Sequence, residues 1–263
     1  MPILFFFLLF LGPLAWSSSS VFAFKSIKFS DIQQCGPFNI SFAGGKPPAA
    51  LPLTLTVIPF NSTPISITIP DPSWNATTST GAAVTFLPLA AGTEFIASLD
   101  DAEGQGVGSV SDFINILPSD NSSCVSTPSP TTKRFTISSN LVQCQSFDVV
   151  FNATMHVPVP SVRALIPEGQ SYFLNRTQGD GTIVLPPFNL SSYQMTASQG
   201  SQLVLLFNDS SGYRESSSLE TIQGDTTSNT SCLSFFNDAT STNSQAAVST
   251  FHLSRYVLLS SHT

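Results

Sequence analysis

The stretch QCGPFNISF at positions 34–42 returns 109 residues later as QCQSFDVVF at positions 143–151. The Gln-Cys pair and two phenylalanines are the same in both. After the cysteine, apolar and polar residues largely alternate, which is typical of a strand with one buried face. Self-similarity along one chain indicates a repeated structural unit. This stretch therefore predicts two copies of one β-rich domain.

Further matches continue along both copies. They are Phe42 with Phe151, Ile58-Pro59 with Ile166-Pro167, Asn75-x-Thr77 with Asn175-x-Thr177, Gly92 with Gly200, Asp101 with Asp209, Gly104 with Gly212, and Asn121-Ser122-Ser123-Cys124 with Asn229-Thr230-Ser231-Cys232. The offset is 108 or 109 residues except at the Asn-x-Thr pair, where it is 100. We infer a duplicated domain that has lost a loop segment in its second copy.

Each copy has one cysteine at its start and one at its end. Four cysteines allow three pairings, and the duplication favours the pairing within each copy, Cys35–Cys124 and Cys144–Cys232. Closing a loop of about 90 residues removes unfolded-state entropy worth roughly 4–5 kcal/mol in the chain-entropy model. Two such bonds would place the protein in an oxidising compartment.

Short apolar or alternating runs fill each copy, and no segment shows a sustained helical period. The predicted strands are 38–42, 53–58, 65–69, 84–87, 94–99, 107–110 and 113–116 in the first copy, and 147–151, 162–166, 172–174, 183–185, 193–197, 203–207 and 219–222 in the second. Seven strands per copy fit an immunoglobulin-like sandwich. The predicted fold class is all-β, with two tandem immunoglobulin-like (fibronectin-III-like) β-sandwich domains and a disordered C-terminal tail.

The ends of the chain suggest secretion. An apolar run at 3–11 is followed by a polar run and Val21-Phe22-Ala23, which is typical of a signal peptide cleaved after Ala23. An uncleaved anchor is the alternative, because no Lys or Arg precedes the apolar run. The predicted organisation is a signal peptide at 1–23, a first sandwich at 24–125, a Pro/Ser/Thr linker at 126–134, a second sandwich at 135–233 and a Ser/Thr-rich tail at 234–263. With a semi-stiff linker, we expect the two sandwiches to sit end to end.

The charge and hydropathy of the chain limit the classes of partner that it can be expected to bind. Only 10% of residues are charged and the net charge is −7, so no basic surface suited to nucleic acid is expected. After the signal peptide no apolar run reaches the length of about 18 residues that a membrane helix needs. The chain as written is therefore predicted to lack a membrane span, and a C-terminal transmembrane or GPI anchor lost from the sequence is the alternative.

Nine Asn-x-Ser/Thr sequons occur in the two copies. They are Asn39, Asn61, Asn75, Asn121, Asn152, Asn175, Asn189, Asn208 and Asn229. In a secreted chain such sites are N-glycosylation acceptors. We expect at least about five of them to carry glycan.

Catalytic and metal-binding signals are weak. His156 is the sole histidine outside the predicted tail, and no G-x-S-x-G elbow is present. The densest acidic cluster is Asp100-Asp101-x-Glu103, and the glycine that follows it, Gly104, favours a turn at this place. A weak calcium site and a pair of acid/base groups are the alternatives. The glycine-rich stretch Gly104-Gln-Gly-Val-Gly is not followed by a predicted helix whose N-terminus could bind phosphate. The four cysteines are assigned to disulfides, so none is left as a nucleophile or a zinc ligand. Trp74 is matched by Leu174 in the second copy, and this match favours a role in core packing over a sugar-binding platform. We therefore expect no catalytic residues, no cofactor and no metal.

Four short motifs of the first copy form a recognisable series: Gln34-Cys35-Gly36-Pro37-Phe38, Gly44-Gly45-Lys46-Pro47-Pro48, Gly92-Thr93 and Asp101-x-x-Gly104. With them the chain resembles a group of fungal, basidiomycete-type secreted or single-pass surface glycoproteins. Proteins of this group have tandem Q-C-G…G-G-x-P-P β-sandwich domains. The layout is also distantly similar to the fungal Ser-Thr-rich GPI-anchored cell-wall family. The likeness covers residues 28–125 well, whereas the second copy lacks the Gly-Gly-x-Pro-Pro turn. It implies a stalk and an anchor, and it supplies no catalytic residues.

Together these features predict a non-enzymatic secreted, cell-surface or cell-wall glycoprotein with a structural, adhesion or sensing role. Its expected partner is a surface protein or a wall glycan. The alternative is a pair of carbohydrate-binding modules acting on wall polysaccharide, which would present exposed aromatic side chains in a row on one sheet face.

Overall fold

Apolar and polar residues alternate along the first repeated stretch, and this stretch forms a strand with one buried face. In β3 (Pro37–Ala43), Phe38, Ile40 and Phe42 are buried and the residues between them are exposed. The computed structural model describes residues 23–45, 48, 50–70, 73–75, 77–125, 133–152, 159–177, 183–185, 188–225 and 227–235. These residues form strands and loops with a 3-10 helix at Ser231–Phe235. The protein is all-β, as predicted.

The N-terminal half contains two sheets. Its strands are β1 Ser26–Phe29, β2 Ile32–Gln33, β3 Pro37–Ala43, β4 Thr54–Pro59, β5 Ile65–Thr68, β6 Trp74–Asn75, β7 Thr80–Phe86, β8 Glu94–Asp100 and β9 Ile114–Leu117. The N-outer sheet has the order β1-β3-β7-β6, and the N-inner sheet has the order β2-β9-β8-β4-β5. Strands β2 and β9 pair in parallel, and the other pairs are antiparallel.

The C-terminal half repeats this arrangement. Its strands are β10 Phe135–Ile137, β11 Ser146–Asn152, β12 Ser161–Leu165, β13 Ser171–Phe173, β14 Ile183–Leu185, β15 Phe188–Gln194, β16 Gln202–Asn208, β17 Arg214–Ser216 and β18 Glu220–Thr221. The C-outer sheet is β10-β11-β15-β14, and the C-inner sheet is β13-β12-β16-β17 with β18 also pairing β16. A parallel bridge between Val142 and Gln223 replaces the β2–β9 pair.

Each half has its own apolar core between its two sheets. Phenylalanines lie at the centre of the N-terminal core, including Phe38, Phe42 and Phe95. Phe147, Phe151 and Tyr193 occupy the C-terminal core. Both halves are sandwich-like, and a sandwich core of this kind needs alternating inward residues from two facing sheets.

Both predicted disulfides are present. Cys35 pairs with Cys124 and Cys144 pairs with Cys232, each with Cα atoms 5.4 Å apart. Each bond joins the first turn of a half to its last segment. Disulfides persist in oxidising environments, so they suggest an extracellular or secreted protein.

The expectation that the sandwiches sit end to end is wrong. The inner sheets pack face to face through a third apolar cluster, in which Ile58, Ile96 and Val110 meet Leu165, Val204 and Leu206. All six are at most 3% exposed. Strands β4, β8, β12 and β16 are buried along nearly their whole length, so both of their faces are covered. The two halves therefore lie within one compact unit.

Backbone hydrogen bonds from two loops reinforce this interface. Val110 N donates to Gly169 O at 2.9 Å, and Glu168 N donates to Ser111 O at 3.2 Å. At the other edge Asn61 N donates to Ser217 O at 2.8 Å. Such bonds fix the relative position of the halves, because main-chain atoms cannot adjust as side chains do.

The registers show which interface residues are equivalent. Val57 lies opposite Ala97 in the N-inner sheet, and Ala164 lies opposite Leu205 in the C-inner sheet. Ile58 is therefore equivalent to Leu165, and not to Ile166 as the repeated Ile-Pro pair predicted. By the same register Thr56 corresponds to Arg163, and the two halves meet through the same face.

Two predicted strands are wrong. Residues 107–110 form no strand, because Val107 bonds to Leu99 and Phe24 at the core edge while Val110 turns into the interface. The strand predicted at 193–197 is instead β15, Phe188–Gln194, whose polar sequence is held by pairing with β11 along its whole length. Four predicted features lie outside the described residues, namely the signal peptide up to residue 22, linker residues 126–132, His156 and tail residues 236–263.

Candidate functional site

The acidic stretch at the end of β8 forms a turn. Asp101 Oδ1 accepts hydrogen bonds from Glu103 N at 3.0 Å and Gln105 N at 2.9 Å. Gly104 has a φ of 78°, a left-handed conformation that glycine adopts without steric cost. The predicted turn chemistry is confirmed.

The second half repeats this turn. Asp209 Oδ1 accepts from Ser211 N at 2.9 Å and from Tyr213 N at 3.0 Å, and Gly212 has a φ of 84°. Burial and the Glu215 carboxylate raise the pKa of Tyr213 to about 12. Its hydroxyl therefore stays protonated at neutral pH and donates to Glu215 Oε2 at 2.9 Å.

Asp100 points away from the turn, because successive side chains of a strand face opposite sides. It is 3% exposed and lies at the junction of the halves. Its Oδ1 accepts from Arg163 Nη2 at 2.6 Å and from Ser98 Oγ at 2.6 Å, and its Oδ2 accepts from Thr56 Oγ1 at 2.7 Å. Asp100 and Arg163 thus form a buried ion pair between the N-inner and C-inner sheets.

A cleft of about 320 Å³ lies beside this ion pair. It is lined by residues of both halves, among them Thr54, Glu103, Phe173, Asn208 and Arg214. Arg214 donates to Ser66 Oγ. Burial lowers the pKa of Arg214, nearby Arg163 lowers it further, and Asp100 opposes both effects. An arginine remains protonated under such shifts, so the cleft contains charges of both signs.

Two of the three acidic side chains that line the cleft make structural hydrogen bonds. Both Asp100 oxygens accept from protein donors, and Asp101 Oδ1 is used by the turn. A general base needs a free lone pair within reach of substrate. Among the described residues, no group of three or more His, Cys, Asp or Glu side chains could hold a metal ion.

Two glutamines beside the disulfides have a structural role that sequence reasoning missed. Gln34 Oε1 accepts from Ala91 N at 2.7 Å, and its Nε2 donates to Asn121 O at 3.0 Å. Gln143 makes the equivalent bonds to Gln199 N and Asn229 O, both at 2.8 Å. Each glutamine therefore joins an internal turn to the segment before the second cysteine. The presence of a glutamine directly before the first cysteine of each copy was the sequence signal for this role.

Most of the sequon asparagines lie on the surface. Exposed side chains are found at Asn39, Asn61, Asn75, Asn121, Asn175, Asn208 and Asn229. Asn189 differs, since its Oδ1 is buried without a hydrogen-bond partner among the described residues. The Asn152 side chain lies outside the described residues, although its backbone belongs to β11.

Exposed aromatic side chains do not form a row in the described part of the chain. Phe86 and Phe188 lie on the N-outer and C-outer sheets, Phe173 lies on the C-inner sheet, and Phe113 precedes β9. Trp74 packs in the N-terminal core, with ring centroids 4.8 Å from Phe24 and 5.7 Å from Phe42. The prediction that Trp74 serves packing is confirmed.

The repeated aspartate turns give a test of stability. Asp101→Ala and Asp209→Ala are each expected to destabilise the fold by about 1.5–3 kcal/mol, because each removes a charged acceptor of two backbone donors. Asp209→Ala should cost more, since Asp209 also lies 3.6 Å from Arg134. Urea unfolding midpoints measure both. The Asp101→Asn variant keeps an acceptor and should lose much less, and equal losses for Asp101→Asn and Asp101→Ala would contradict the role assigned to the turn.

No family model and no curated protein matches the chain. Among solved structures it is similar to a purple acid phosphatase from yellow lupin (Lupinus luteus) seeds, with 11% identity over 73% of this chain. The match covers 40% of the lupin enzyme and has a TM-score of 0.23. A likeness this weak carries no argument about catalysis in either direction. None of the helices in the described part of the chain has the length and apolar character that a membrane span requires.

Proposed function

We propose that this protein is a secreted, non-enzymatic glycoprotein of the fungal cell surface or cell wall, with a structural, adhesion or sensing role. In this proposal residues 24–125 and 135–233 are the two copies of the duplicated domain, and their loops and glycans face the surroundings. The partner is another surface protein or a wall glycan.

One observation carries the proposal. Seven sequon asparagines are exposed on a body whose halves are each closed by a disulfide. N-glycosylation and disulfide formation both belong to the secretory route. The hydrogen bonds of the Asp100–Arg163 pair, which join the two inner sheets, support a structural role for these two residues.

The alternative of a pair of carbohydrate-binding modules is less well supported. It requires aromatic side chains in a row on one sheet face, and the exposed phenylalanines of the described residues lie on separate sheets. Phe173, which is 41% exposed, lines the cleft beside charged side chains that could bind sugar hydroxyls. Binding of wall polysaccharides that is lost in Phe173→Ala would support this alternative.

Site-by-site glycan occupancy tests the proposal. The full chain is secreted from a eukaryotic host and treated with peptide-N-glycosidase in heavy-oxygen water, so that each occupied asparagine becomes a labelled aspartate. We expect label at the exposed sequons. We expect no label at Asn189, because its amide oxygen is buried and a glycan on this side chain would disrupt β15.

A secreted protein without label at any site would refute the glycoprotein assignment. Label at Asn189 together with a native unfolding transition would show that β15 tolerates a glycan. Cell fractionation of the source organism gives the complementary result, with the protein expected in the medium or the wall fraction.

A further inference from the structure

The N-outer sheet presents an apolar patch to the surroundings. Val84 is 63% exposed and Phe86 is 61% exposed on β7, whereas Ala83, directly before them, points into the core. Strand β6 pairs only with residues 80 and 81 of β7, so it does not reach this patch. Large apolar side chains side by side on a surface indicate a contact.

A sequon lies directly beside this patch. Asn39 on β3 is the register partner of Val84, and Pro37 is the partner of Phe86. Asn39 is exposed, as are its neighbours two residues away on the same strand. Directly opposite residues of an antiparallel pair have Cβ atoms about 4.5–5.5 Å apart, and diagonal neighbours about 7–8 Å. A sugar attached to Asn39 Nδ2 therefore begins within contact distance of Val84.

The other side of Asn39 offers no comparable apolar surface. On that side the backbone N of Asn39 donates to Ser30 Oγ at 3.0 Å, and Ser30 N donates to Asn39 O at 2.9 Å. Serine is small and polar. The apolar ring faces of a sugar thus have Val84 and Phe86 as their nearest apolar contacts.

The same juxtaposition occurs in the C-terminal half. Asn152, also a sequon position, is the register partner of Phe188, which is 49% exposed. In both outer sheets, therefore, an exposed apolar residue lies opposite a glycosylation sequon. The sequon Asn75 has a different environment, because its partner on β7 is the polar Thr80.

We propose that the N-linked glycan of Asn39 lies on Val84 and Phe86 and covers the apolar patch of the N-outer sheet. This inference rests on the proposed glycosylation of the protein. The C–H faces of the first sugars pack on the phenylalanine ring and the valine methyl groups, which removes apolar surface from water. The glycan thereby prevents the patch from associating with other molecules.

A mutant cycle tests this contact in the full secreted chain. Ser41→Ala removes the Asn39 sequon without changing Asn39, and Val84→Ser with Phe86→Ser removes the patch. Thr77→Ala is the matched control, since it removes the Asn75 sequon from the same sheet. Site occupancy by mass spectrometry is recorded for every variant, along with binding of the dye 1-anilinonaphthalene-8-sulfonate, self-association and the urea midpoint.

Ser41→Ala is expected to increase dye binding and self-association, and to lower the folded-to-unfolded ratio about two- to fivefold, the range of a cross-strand contact. Thr77→Ala should leave dye binding unchanged. In the background without the patch, Ser41→Ala should have no effect, because the contact is already absent.

Three results would overturn the inference. An occupied Asn39 whose removal has the same effect with and without the patch means that the glycan does not touch it. An empty Asn39 with other sequons occupied refutes the contact and leaves the proposed function intact. Absence of glycan at every sequon refutes both.

Discussion

Replacing Arg163 by alanine is expected to destabilise the folded protein by about 3–5 kcal/mol, because it leaves the buried Asp100 carboxylate without its cation. Both side chains of this pair are 4% exposed, and their atoms are 2.6 Å apart. Ser171 Oγ also accepts from Arg163 and would lose this donor. Equilibrium unfolding in urea, followed by circular dichroism, gives the free energy directly.

Arg134→Ala is the matched control. Arg134 lies 3.6 Å from Asp209, but its side chain is 37% exposed, so its ion pair should contribute about 0–1 kcal/mol. A third variant, Arg163→Met with Asp100→Leu, removes both charges and should recover much of the loss, since a buried apolar pair can replace an ion pair. An Arg163→Ala variant no less stable than Arg134→Ala would refute the role given to the buried pair.

Removing either disulfide is expected to cost about 2–5 kcal/mol. The bonds close segments of 89 and 88 residues, so the entropy that each removes from the unfolded chain is nearly the same. Cys35→Ala with Cys124→Ala and Cys144→Ala with Cys232→Ala should therefore lower stability by similar amounts. Urea unfolding without reductant measures each double variant against wild type.

Peptide mapping without reduction provides the control for this prediction. Wild type should give two linked peptides, one from each half, and each double variant should give one. A difference of several kcal/mol between the two variants would mean that packing around one bond, and not loop closure, dominates. Bonds crossing between the halves would contradict the pairing seen in the structure.

Much of the fold follows from the sequence, because the repeat carries it. The matched Gln-Cys pairs identify two units, and the cysteine positions identify the bonds. Strands such as β3 and β16 are evident from their apolar pattern. Strand β15 is not, because its polar sequence forms a strand only when β11 supplies the hydrogen-bond partners.

The candidate site was harder to predict. Asp100 and Asp101 are adjacent in sequence, yet one forms a buried ion pair and the other holds a turn. The partner Arg163 is 63 residues away, and a single positively charged residue in an apolar strand gives no hint of which carboxylate it meets. The uninterrupted apolar run within β16 was the sequence signal for the interface, since a strand with one solvated face should alternate.

The two inner sheets meet through equivalent faces, yet the ion pair at their junction is not reciprocal. By register the counterpart of Arg163 is Thr56, and the counterpart of Asp100 is Asn208. Two N-terminal halves from separate chains, apposed in this way, would bury a carboxylate with no guanidinium to neutralise it. This asymmetry disfavours the pairing of like halves and directs each half to a complementary half, which the short tether supplies at high effective concentration.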